Sequence, residues 1–99
     1  MTKQYYECHI TISPVHDEEK LLLLKEIVKE YKFKVAELLM QKRQEDTPLR
    51  SKYDTFMTGH SLDYVDLEDR MTQLRIILSQ LGHKVWRYKI EHVILDVRL

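Results

Sequence analysis

The chain has 99 residues, 43% hydrophobic and 32% charged, with sixteen basic residues against sixteen acidic ones. This composition suits one globular domain with a single modest core, so one domain is expected over residues 1–99. A formal net charge of zero argues against a dedicated nucleic-acid binder, which carries a basic excess, and leaves little electrostatic protection against self-association.

The N-terminus, Met1 to Tyr5, has no apolar signal core. Tyr5 to Ser13 then alternates. Tyr6, Cys8, Ile10 and Ile12 point one way, and Tyr5, Glu7, His9 and Thr11 the other. Period-two alternation with aromatic and β-branched residues predicts a strand with one buried and one open face. Cys8 is the only cysteine. It lies on the apolar side, as a buried thiol would, and has no partner for a disulfide or a zinc site.

Pro14 disfavours helix at Ser13, and Asp17 is a natural N-cap followed by Glu18 and Glu19. A helix is expected to about Tyr31, with Leu21, Leu24, Ile27, Val28 and Tyr31 as its apolar stripe. The run Leu21 to Leu24 is the longest apolar stretch and is too short to cross a bilayer. No membrane contact is expected, and the default compartment is the cytoplasm.

Phe33 to Met40 is read as a second strand, although helical propensity rises after Val35. Gln41 to Lys52 is polar and contains Pro48, and is expected to be a mobile connection or flap. Tyr53 to Gly59 is expected to be the third strand, broken by Gly59. His60 and Ser61 then lead into a helix capped by Ser61 or Asp63. Leu67, Met71, Leu74, Leu78 and Leu81 recur at helical spacing, and Gly82 ends the run as a C′ residue. His83 to Val97 is expected to be a long fourth strand. Its alternation loses phase at His92 to Leu95, which points to a bulge near His92.

The order strand, helix, strand, strand, helix, strand predicts an α+β fold. Right-handed crossovers give a ferredoxin-like βαββαβ arrangement: a four-stranded antiparallel sheet of order 4-1-3-2 with both helices on one face. The first and fourth strands are then antiparallel neighbours. Glu7, His9 and Thr11 lie beside Arg87, Lys89 and Glu91 on the open face. Gly59, His60 and Ser61 reach the end of the sheet near Glu7.

Two functional readings follow. In the first, the open face is the contact surface of a small binding module. In the second, the chain is a small enzyme acting on a phosphorylated or other anionic substrate. His9 and His60 then serve as acid and base, Gly59 and Ser61 at the helix start accept the anion, and Arg87 and Lys89 neutralise it. His9-Ile10-Thr11-Ile12 resembles the His-x-Thr-hydrophobic motif of the two-histidine phosphoesterases. That family carries a second such motif. His60 and His92 are followed by Ser61-Leu62 and Val93-Ile94, so no membership is drawn. The five histidines show no metal-ligand spacing, and neither a metal nor a cofactor is expected. The fourth strand is longer than usual and ends in Val93, Ile94 and Leu95, which suits a homodimer interface. Nucleic acid is not expected on the face, because the aromatic signature of sheet-based RNA binders is absent.

Overall fold

The computed structural model describes residues 2–36 and 54–96. Six elements follow in order: β1 (Thr2–Ile12), α1 (Glu18–Glu30), β2 (Phe33–Val35), β3 (Thr55–Ser61), α2 (Tyr64–Gln80) and β4 (Val85–Asp96). Together they form a two-helix α+β domain with one four-stranded sheet, ordered β2-β3-β1-β4. Read from the other edge, that is the expected 4-1-3-2 order. All three strand pairings are antiparallel.

The core forms where the alternation of β1 meets the helical stripes. Cys8, Ile10 and Ile12 are fully buried and share one cluster with Leu24 and Val28 of α1 and Leu67, Met71, Leu74 and Leu78 of α2. Both helices therefore seal the same side of the sheet. Burying side chains of this size contributes about 1.5–3 kcal/mol each, which makes the stripe the main stabilising feature. Thr55 is also buried, and its Oγ1 accepts from the Val15 backbone N–H at 3.1 Å.

Asp17 caps α1, accepting from Glu19 N at 2.9 Å, and Asp63 caps α2, accepting from Val65 N at 3.0 Å. Each helix ends at a left-handed residue, Lys32 (φ 61°) and Gly82 (φ 88°). Glycine meets this need at no steric cost, whereas lysine does not. Leu81, expected in the apolar stripe, is the C-cap of α2 and is 49% exposed. The stripe stops one turn earlier because the chain leaves the sheet there.

The strands differ from expectation in several places. β3 does not break at Gly59 but continues through Ser61. Gly59 pairs with Phe33 of β2, and a Cβ on it would stand 2.8 Å from the Phe33 ring. The glycine makes room for that ring inside the sheet. There is no bulge at His92, since β1 and β4 stay in register from Thr2↔Asp96 to Thr11↔Arg87. The irregularity lies between Thr11 and Ile12, opposite Val85 to Arg87. The apolar run after His92 has another cause. Here β1 and β4 extend beyond β3, whose last partner on β1 is Tyr6. This leaves a two-stranded arm, Thr2–Tyr5 with Val93–Asp96, on which Ile94 and Leu95 are 58% and 45% exposed. Of the second expected strand, Phe33–Val35 is present and Ala36 lies outside it. Its remainder and the Gln41–Lys52 connection fall outside the described residues. No helix among the described residues is long and apolar enough to cross a membrane.

Candidate functional site

The register places the open face residue by residue, because directly opposed residues in an antiparallel pair share a face. His60, Glu7 and Glu91 form one row across β3, β1 and β4. Lys34, Thr58, His9 and Lys89 form the next, starting from β2, and Phe56, Thr11 and Arg87 the third. Seven predicted site residues thus meet on one surface: Glu7, His9, Thr11, His60, Arg87, Lys89 and Glu91. Two others do not. Gly59 and Ser61 pair with Cys8 and Tyr6, on the side that the helices cover.

Four side chains of the open face are linked. His9 Nε2 lies 3.0 Å from Glu7 Oε1 and 3.7 Å from Glu91 Oε1, and Lys89 Nζ lies 2.7 Å from the same Glu91 oxygen. Glu7 and Glu91 are direct cross-strand neighbours, an arrangement that two like charges disfavour. His9 reaches both carboxylates and Lys89 holds one. The Lys89 hydrogen bond and charge hold the Glu91 carboxyl below the usual carboxylate range. All four side chains stay wet, between 32% and 49% exposed. Water screens surface pairs of this kind, so they order the surface more than they stabilise the fold.

The start of α2, where an anion site is expected, carries two of the chain's own carboxylates. Asp63 caps the helix, and Asp66 accepts from Ser61 Oγ at 3.1 Å and from Arg70 Nε at 3.1 Å. Ser61 Oγ in turn accepts from Asp63 N at 3.0 Å. Two acidic groups at a helix N-terminus satisfy its dipole and repel an incoming phosphate. Gly59, expected to let an anion approach the backbone, has the Phe33 ring on the side where a Cβ would stand.

His60 projects on the same face as His9 and packs edge-on against Tyr5, with ring centroids 6.2 Å apart. The two histidines stand diagonally on adjacent strands, a placement that sets Cβ atoms about 7–8 Å apart. An open pocket of about 450 Å³ adjoins His60, lined by Lys3, Gln4, Tyr5, Glu7, His60, Leu62 and Leu95. The fourth strand's His92 faces the other way. It stacks on Tyr6 at 4.9 Å, and its Nε2 lies 3.2 Å from Gln4 Oε1. Among the described residues no group of histidine, cysteine and carboxylate side chains has the geometry to hold a metal ion. Burial pushes the Cys8 thiol up to about 12, which leaves almost no thiolate for nucleophilic chemistry at neutral pH.

Three residues escaped the sequence reading. Lys34 and Thr58 extend the His9–Lys89 row, Thr58 through the pairing of β3 with β1 and Lys34 through the short pairing of β2 with β3. Arg70 gathers the fold beside the face. Its guanidinium donates to Tyr31 O at 2.9 Å and His60 O at 2.7 Å while pairing with Asp66. Helical periodicity marks Arg70 only as a polar position.

No protein-family model matches the chain, and no curated protein matches it.

Proposed function

We propose that this is a small binding module of ferredoxin-like architecture, working in the cytoplasm as a homodimer, with the open sheet face as its recognition surface. The βαββαβ order and the strand sequence β4-β1-β3-β2 support the architecture. A lone buried thiol suits a reducing compartment. The apolar end of β4, with Ile94 and Leu95 exposed and Val93 half-buried, supports self-association.

One observation carries the recognition reading. The Glu7–His9–Glu91–Lys89 group lies on the surface of the sheet, and its members are bonded to one another and accessible. Such a surface offers fixed, alternating charge to a partner that lays a complementary surface on it. Among the described residues it lacks the enclosing walls that desolvate a small substrate.

The second reading, an enzyme for a phosphorylated or other anionic substrate, draws on the same face. His9 and His60 flank Glu7 there, diagonally placed on adjacent strands, with Arg87 and Lys89 alongside. Hydrolysis of a generic aryl phosphate by wild type and by the His9→Ala/His60→Ala double variant separates the two. The binding-module reading expects equal background rates. Turnover that depends on both histidines would overturn it in favour of the enzyme.

A further inference from the structure

Among the described residues no strand pairs with the outer edge of β4. Yet that strand runs for twelve residues and exposes Trp86, Tyr88, Ile94 and Leu95 by 60%, 45%, 58% and 45%. A bare edge of this length is a template for another strand. We propose that its occupant is β4 of a second copy, paired antiparallel about a twofold axis through Ile90, so that two sheets become one continuous sheet. This rests on the dimer reading above and adds which residues meet.

The choice of Ile90 follows from symmetry and charge. A twofold axis perpendicular to the sheet relates the two strands, and directly opposed residues must share a face. The axis therefore passes through a residue, never between two. An axis through Tyr88 sets Arg87 against Lys89 of the second copy. One through Lys89 pairs Arg87 with Glu91 twice but sets lysine against itself at the axis, and one through Glu91 sets glutamate against itself. One through His92 sets Lys89 against Leu95 and forms no pair of opposite charge.

Ile90 alone resolves all of these. Lys89 faces Glu91 of the second copy, twice by symmetry. Ile90 faces itself, Tyr88 faces His92, and Trp86 flanks Ile94. Parity keeps both pairs of helices on the same side. The register from Arg87 onward is free of bulges, so seven residues on each side of the seam pair regularly. Lys89 and Glu91 already bond within one chain at 2.7 Å, and edge charges also serve to keep strands apart. Reversing them decides between these roles.

The test uses the full chain, with light scattering after size-exclusion chromatography at high micromolar concentration. Wild type is expected to be a dimer. Lys89→Glu and Glu91→Lys each place like charges across the seam, and each alone is expected to weaken the dimer at least about tenfold. Mixed in equal amounts, they are expected to form a heterodimer, because every crossing pair then has opposite signs. Ile90→Cys is expected to form an intermolecular disulfide on mild oxidation, and Lys89→Cys is not. A monomeric wild type overturns both the dimer reading and this inference. A dimer that ignores both charge reversals, or that cross-links through Lys89→Cys but not Ile90→Cys, overturns the register and leaves dimerisation through another contact standing. Circular dichroism of each variant checks folding, and both charged positions are exposed.

Discussion

Two side chains control much of the open face and its support. Glu91 owes its acidity to Lys89, and the sign of that coupling can be worked out. Its folded-state value is depressed. The folded chain therefore holds it ionised at pH values where the unfolded chain has begun to protonate it. The resulting stabilisation is present above the ordinary carboxylate range and is lost as pH falls through the folded value. In Lys89→Met the Glu91 carboxyl is expected to titrate closer to its usual range, as carboxyl NMR would follow; an unchanged value would show that another group sets it. Arg70 is the second case. It bonds to the end of α1, to β3 and to its own helix, and its guanidinium lies 5.9 Å from the Phe33 ring centre. Arg70→Ala is expected to cost about 2–4 kcal/mol in urea denaturation, because it leaves two carbonyls without their charged donor. Arg70→Lys is expected to recover only a fraction of this, since an ammonium has no planar fork to span both.

At the scale of elements, Gly59 shows how a strand is shaped by its neighbour. Gly59→Ala is expected to destabilise by about 1–3 kcal/mol, the range for overpacking a core, and shortening Phe33 to leucine is expected to relieve some of that. Equal losses in the presence and absence of the ring would refute the explanation. The same residue marks the limit of what the sequence shows. The alternation of β1 and the stripes of α1 and α2 are local patterns, set by period 2 and period 3.6, and they are directly legible. The face assignment of Glu7, His9 and Thr11 against Arg87 and Lys89 follows from them. Gly59 reads as a strand breaker because the ring that requires it arrives from β2, distant in sequence. Val93 to Leu95 reads as a loss of phase because nothing local reveals that β3 stops short of the arm. The start of α2, read from the sequence as an anion site, carries acidic side chains of its own. Asp63 and Asp66, both visible in the sequence, bond to Val65 N and Ser61 Oγ there.

For the whole molecule, the pairing of β1 with β4 matters most. It joins the first and last described strands along eleven register positions. These contacts close nearly the full length of the chain, and such topologies fold slowly because the loop must be ordered before the contacts form. Folding on the millisecond-to-second scale is expected in stopped-flow refolding, with microsecond folding arguing against so late and distant a closure. If the proposed seam exists, the strand that completes each subunit is also the one that joins it to its twin. Dimer formation and closure of the fold would then be thermodynamically linked.

The arm at Thr2 and Asp96 has a mechanical consequence. Its two strands run antiparallel and leave the molecule side by side. A load applied between the chain's two ends therefore acts across the ladder, not along it. The rungs would give way in succession from the open tip inward. In an optical trap the molecule should yield at low tension, by stepwise peeling and without a single abrupt rupture.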